Sequence, residues 1–172
     1  AVLNCFSYTG GFSVYGARGG AKRVVSVETS GPANVLARRN LERNGFSAQD
    51  HPVLQADVFS FLRETTDRFD LVILDPPAFA KSGKDTARAA RGYKDINLQA
   101  VRRLSDGGFL ATFSCSSHLD ETLFEKIVMA AARDAGREAQ LVARLGPGPD
   151  HPVSLAHSEG RYLKGLLLRL TA

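Results

Sequence analysis

Short apolar runs of strand length, closed by turn-forming or acidic residues and separated by helical patterns, recur from one end of the chain to the other. This rhythm restricts the fold more than any other feature, because parallel strands need a crossover between them and a helix is the usual one. Strands are expected over residues 2–6, 23–28, 52–56, 69–75, 108–114, 140–145 and 162–170. Between the second and third, Ser30 as N-cap, Pro32 in the first turn and Gly45 beyond the end mark a helix. Residues 13–18 are compatible with another. Further helices are expected over 93–104, with Ile96, Ala100, Val101 and Leu104 on the buried face, and over 120–135. About six helices are expected in all. The run Gly146-Pro147-Gly148-Pro149-Asp150 reads as a loop, and no repeat or low-complexity segment interrupts the pattern.

At 172 residues the chain suits one well-filled domain. The 44% apolar and 23% charged shares are those of a soluble globular protein, and no window reaches the unbroken apolar length of a membrane helix, so no membrane partner is expected. Cys5 and Cys115 have no metal-like spacing and make no disulfide framework, which points to a reducing cytoplasm and no metal. The start at Ala1, without Met or a leader, is expected of a domain excised from a longer protein. The net charge of +4 is unevenly spread. Lys81, Lys84, Arg88, Arg91, Lys94, Arg102 and Arg103, set against Asp85 and Asp95, carry the whole surplus in one stretch, an electrostatic footprint for phosphate or a solvated helix face.

The strand ends carry the chemistry. The first runs into Asn4-Cys5-Phe6-Ser7-Tyr8-Thr9-Gly10-Gly11-Phe12, where paired glycines allow a tight turn and close approach to a ligand. This is not the three-glycine fingerprint of a dinucleotide site. Glu28 stands at the tip of the second strand, about 20 residues after that turn, where an acid accepts hydrogen bonds from ribose hydroxyls. With Asp57 at the tip of the third, turn and acids form a constellation shaped for adenosine. Strand four ends in Asp75-Pro76-Pro77-Ala78-Phe79. Its prolines stiffen the backbone and withhold N–H groups, leaving carbonyls to face a planar base on which Phe79 can stack. Strand five ends in Ser114-Cys115-Ser116, and the usual doubly wound strand order sets Cys115 across the pocket from Asp75. Cys5, inside the first strand, reads as core.

Together these motifs resemble the bacterial 23S rRNA (cytosine-5)-methyltransferases, whose catalytic domain normally follows an RNA-binding PUA domain. The likeness spans nearly the whole chain. It is carried by residues 3–12, by Leu74-Asp75-Pro76-Pro77-Ala78-Phe79, by Arg91-Gly92-Tyr93-Lys94-Asp95, by Phe113-Ser114-Cys115-Ser116 and by Glu159-Gly160-Arg161-Tyr162-Leu163-Lys164-Gly165. The resemblance implies a Rossmann-like class I methyltransferase fold, a mostly parallel seven-stranded sheet with an antiparallel last strand. It implies S-adenosylmethionine as cofactor, held by Asn4, Phe6, Ser7, Tyr8, Thr9, Gly10 and Gly11 around its methionine part, by Glu28 at the ribose, by Asp57 and Val58 at the adenine, and by Asp75. It implies 23S rRNA as partner, with Pro76, Pro77, Phe79, Lys81 and Tyr93 at the substrate. Cys115 is then the nucleophile, and Asp75 the group that hydrogen-bonds the base.

One departure stands out. Many RNA cytosine-5 enzymes place a second cysteine just after the proline of the strand-four motif, and here that neighbourhood offers Ala78. Two other readings remain open at this stage. One is a guanine-7 or other base-nitrogen rRNA methyltransferase, which shares an Asp-Pro-Pro loop but needs no strand-five cysteine. The other is a non-catalytic RNA- or nucleoside-binding module. The basic segment predicts RNA binding that weakens steeply with salt, measurable by titration at rising ionic strength; a flat response would return it to a solvated helix face.

Overall fold

In the central strands, residues of alternating side pack into cores on opposite faces of the sheet. Leu3 and Cys5, Val25 and Val27, Val72 and Leu74, and Leu166, Leu168 and Leu170 enter one core, while Val2, Val24, Ile73, Ala111 and Phe113 enter a second on the other face. The period of two and burial on both faces are what a covered parallel strand requires. The computed structural model describes residues 1–79, 85–154, 156, 160 and 162–172. In chain order its elements are β1 (Val2–Cys5), α1 (Gly11–Arg18), β2 (Val24–Glu28), α2 (Gly31–Arg43), β3 (Val53–Gln55), α3 (Val58–Glu64), β4 (Phe69–Leu74), α4 (Thr86–Arg103), β5 (Leu104–Ser114), α5 (Glu121–Asp134), β6 (Glu138–Leu145) and β7 (Lys164–Thr171). The sheet order is β3-β2-β1-β4-β5-β7-β6. The pairs from β3 to β5 are parallel, and β7 runs antiparallel to both its neighbours. This is the expected Rossmann-like sheet with its reversed last strand.

The chain leaves β1 toward β2 and β3 on one side and returns to β4 and β5 on the other. A crevice therefore opens above the carboxyl ends of β1 and β4, where such sheets bind ligands. Five helices stand among the described residues rather than about six. β6 and β7 form an antiparallel pair, which needs no crossover helix. α4 starts at Thr86, seven residues before the expected position, because Ala89 continues the buried stripe of Tyr93, Ile96 and Ala100 backward at helical spacing. β5 starts at Leu104 through an irregular stretch, its register with β4 shifting between Phe69 and Leu71.

Three of the five helix starts among the described residues are capped by a side chain. Ser30, Asp57 and Asp120 each accept a hydrogen bond from a first-turn N–H of α2, α3 and α5. α4, 18 residues and about 27 Å long, runs antiparallel to the strands it covers. The basic stretch is thereby divided: Arg88 and Arg91 lie toward the crevice end, Lys94 stands at mid-helix and pairs with Asp134 at the end of α5, and Arg102 and Arg103 lie at the far end, where Arg103 donates to the Leu62 carbonyl. No helix of the described residues is long and apolar enough to cross a membrane.

Gly165 is fixed by packing. A Cβ there would stand 2.5 Å from the Phe113 ring and 3.0 Å from Leu145 Cβ. Gly165→Ala should lower stability by about 1–3 kcal/mol, the usual cost of overpacking, read as a reduced melting temperature with no change in helix content.

Candidate functional site

The turn after β1 is held from three sides. Phe6 and Tyr8 both adopt left-handed backbone conformations, at φ 57° and 46°, costly for aromatic residues. Surrounding hydrogen bonds enforce them. The Ser7 N–H donates to the Val27 carbonyl at 3.2 Å, the Gly10 N–H to the Ser7 carbonyl at 2.8 Å, and Asn40 Nδ2 to the Thr9 carbonyl at 2.9 Å. The Tyr8 N–H donates to Glu28 Oε2 at 3.1 Å, while Glu28 Oε1 accepts from the Ser30 N–H at 2.9 Å. Glu28, expected at a ribose, thus also ties this turn to the start of α2.

The two glycines differ in cause. Gly10, at φ 81°, is forced by its backbone and by Ala37, whose Cβ would lie 3.0 Å from an added Cβ. Gly11 faces no protein atom within 4 Å. Ser7 Oγ is buried with no protein partner. An open approach at Gly11 and a buried hydroxyl lacking a partner fit a small polar ligand seated on the turn.

Other expected ligand contacts lie deeper. Asn4 is 1% exposed and its Nδ2 donates to Ser13 Oγ at 2.9 Å, which shares a 2.7 Å hydrogen bond with Ser26 Oγ. That buried triad locks α1 to β1 and β2, so Asn4 supports the turn from beneath. Asp57 is exposed at the tip of β3, with one oxygen capping α3 by a 2.9 Å bond from the Ser60 N–H. Val58 is buried below it.

Beyond β4, Asp75 keeps access to solvent while Pro76 is buried and Pro77 exposed. Desolvation raises the Asp75 carboxyl above its ordinary value. Phe79 is half-buried across Gly92 of α4, between the rings of Phe59 at 6.0 Å and Tyr93 at 4.6 Å. Tyr93 stands one layer behind it, fully buried, its hydroxyl accepting from Ser114 Oγ at 3.0 Å. It props the tip of β5 against α4. Lys81 lies outside the described residues, as do Lys84, Glu159 and Arg161.

Cys115 follows that tip, half-buried, with Sγ 3.9 Å from the Pro76 carbonyl oxygen. The expected meeting of the β4 and β5 tips is therefore present. Burial pushes the thiol above its ordinary value and the charge of Asp75 adds to this; its own backbone N–H, Lys164 and the Ala78 N–H pull the other way. Cys5 is fully buried, and burial drives its thiol far above the ordinary range. Among the described residues no group of His, Cys, Asp or Glu is gathered for a metal.

The sequence reading gave no role to Lys164, whose Nζ donates to the Ser116 carbonyl at 2.7 Å and the Tyr162 carbonyl at 2.9 Å. Its position in the closing motif was the available signal. It lines a cavity of about 550 Å³ with Ser117, Asp120, Glu121 and Tyr162. Lys126 of α5 was likewise unassigned. It flanks a groove with Arg91 and Lys94 of α4.

A family model described as S-adenosylmethionine-dependent methyltransferase matches residues 1–169. The Ribosomal RNA large subunit methyltransferase I of Aeromonas salmonicida is 50% identical over 171 residues, covering 98% of this chain and 43% of that protein. The protein of the same name from Photobacterium profundum is 52% identical over 167 residues, covering 95% and 42%. The chain thus spans less than half the length of these relatives. A solved protein from Streptococcus mutans, assigned as a SAM-dependent methyltransferase, superposes with a TM-score of 0.82 at 25% identity, over 98% of this chain and 44% of that one.

The raised Asp75 carboxyl has a stability consequence. A raised folded-state value contributes stability below the unfolded value of about 3.9, and that contribution is lost as pH climbs through the folded value. Asp75→Asn should therefore raise the melting temperature at pH 7, with the gain shrinking as pH falls toward 4.

Proposed function

The chain belongs to the S-adenosylmethionine-dependent methyltransferases, and from that premise we propose that it methylates carbon 5 of a cytosine in large-subunit ribosomal RNA through a covalent bond to Cys115. The observation that carries this reading is the thiol of Cys115 beside the Asp75-Pro76 turn, with Sγ 3.9 Å from the Pro76 carbonyl. The name shared by the Aeromonas and Photobacterium relatives supports an RNA of the large ribosomal subunit as substrate, and this proposal takes it to be 23S rRNA in the cytoplasm.

Bound S-adenosylmethionine supplies an electrophilic methyl group. The turn from Phe6 to Gly11 orients its methionine part, Glu28 its ribose, and Asp57 with Val58 its adenine. Phe79 and the Pro76 and Pro77 carbonyls face the target base, and Tyr93 sets Phe79. Carbon 5 of cytosine is a poor nucleophile until a thiolate adds to carbon 6. The Cys115 electron pair makes that bond while Asp75, whose carboxyl desolvation raises above its ordinary value, gives a proton to ring nitrogen 3. Carbon 5 then has the enamine character that a bound S-adenosylmethionine would methylate; loss of the carbon 5 proton breaks the bond from carbon 6 to sulfur and returns Cys115 as thiolate, and ring nitrogen 3 gives its proton back to Asp75. Ala78 brings no second thiol to this exit step, so a water or neighbouring polar side chain serves it. Unstacking the base from folded RNA requires grip on the backbone. Arg91 and Lys126, along the α4–α5 groove, would supply it; Lys94 of the same groove pairs with Asp134 at 2.7 Å.

RNA carrying 5-fluorocytosine should form a covalent adduct with the protein, stable to denaturing electrophoresis and absent in Cys115→Ala. Methyl transfer without an adduct would move the reading to a base nitrogen; binding without transfer, to a non-catalytic module. Calorimetry should give S-adenosylmethionine binding about tenfold or more weaker in Glu28→Ala, with undiminished affinity removing the ribose assignment.

A further inference from the structure

Lys164 is the first residue of β7 and pairs with Ser114 in antiparallel register. Its stem therefore starts beside the last residue of β5, and its Nζ reaches past Cys115 to the Ser116 carbonyl while also holding the Tyr162 carbonyl. Lysine amines usually extend into water. This one is half-buried and spans two segments 48 residues apart.

We infer that Lys164 is a positioning residue for Cys115: its ammonium fixes the backbone just beyond the thiol and supplies the positive charge that the thiolate faces. The inference rests on the reading of Cys115 as nucleophile. Among the described residues, the charged and titratable groups around the thiol come from three elements. Asp75 at the end of β4 opposes the thiolate, the buried Tyr93 phenol of α4 also opposes it when ionised, and Lys164 of β7 favours it. On the cavity side Lys164 meets Asp120 and Glu121, which favour its charged form against desolvation. Glu121 is shared with Arg144 at 3.3 Å, and Glu125 binds the same guanidinium at 2.8 Å. The acids near the start of α5 are thus partly balanced without Lys164. In the covalent step the thiol proton passes to solvent, Lys164 keeps its own, and the sulfur pair bonds carbon 6 of the base.

Alkylation by iodoacetamide reads the Cys115 thiolate without RNA or methyl transfer, and Cys5 is too buried to interfere. The rate at Cys115 is followed by mass spectrometry across pH 6–10 in the intact protein, with circular dichroism as the check on folding. K164Q, which keeps an N–H donor but not the charge, should slow alkylation at pH 7 roughly tenfold and move the profile upward by about one pH unit, the lower end of what an opposite charge gives. K164R should restore the wild-type profile. Should K164Q fail to fold, acetyl-lysine installed at position 164 retains the stem and an amide donor and must give the same shift. An unchanged profile in a folded neutral form overturns the inference. So does failure of both neutral forms to fold while K164R folds, which would make Lys164 a structural clamp alone. A Lys164-dependent profile without fluorocytosine trapping would sink the cytosine reading and leave the electrostatic pairing standing; trapping with a Lys164-independent profile would do the reverse.

Discussion

The register between the central strands is the constraint from which the site follows. Cys5 pairs with both Val27 and Leu74, and Leu74 with Thr112, so β2, β1, β4 and β5 reach their carboxyl ends at nearly one level. Each next residue is released from the sheet on the same side. A one-residue slip would turn the Val72 and Leu74 side chains out of one core and Ile73 out of the other. The apolar alternation that stabilises the sheet therefore also aligns Glu28, Asp75 and the segment bearing Cys115. The geometry of the candidate site is a by-product of core packing, and the polar groups need no separate device to bring them together.

That alignment sets two titratable groups against each other. Both Asp75 and Cys115 are partly desolvated, which favours the neutral form of each, and the charge of Asp75 further opposes the thiolate. The proposed chemistry asks for a proton on Asp75 and an ionised Cys115. Exclusion of water favours the first and works against the second. In the proposed pairing the Lys164 ammonium eases the conflict at the sulfur while leaving the carboxyl end acidic.

Much of this was legible in the residues. Apolar runs ending in Glu28, Asp75 and Ser114 mark strand tips because a buried strand tolerates a charge or a cluster of hydroxyls only where it leaves the core. The topology then follows from the helices between the runs. What escaped the sequence was mostly long-range. The bond from Lys164 to the Ser116 carbonyl depends on antiparallel register across 48 residues, and no local pattern encodes it. The basic stretch looked continuous because linear order ignores the length of α4, which carries Arg102 and Arg103 away from Arg88. Asn4 and Tyr93 were placed in motifs that face the crevice, yet their side chains lie beneath it, supporting the groups above. A motif marks a neighbourhood; which of its members reach the surface is decided by strand alternation and helix phase.

The left-handed Phe6 and Tyr8 bear on what ligand binding costs at this turn. Their conformations are enforced by bonds from β2, α2 and the turn itself, all present before any ligand arrives. A turn already held in this shape by its neighbours has little freedom left to lose, so the entropic cost of seating a small ligand there is low.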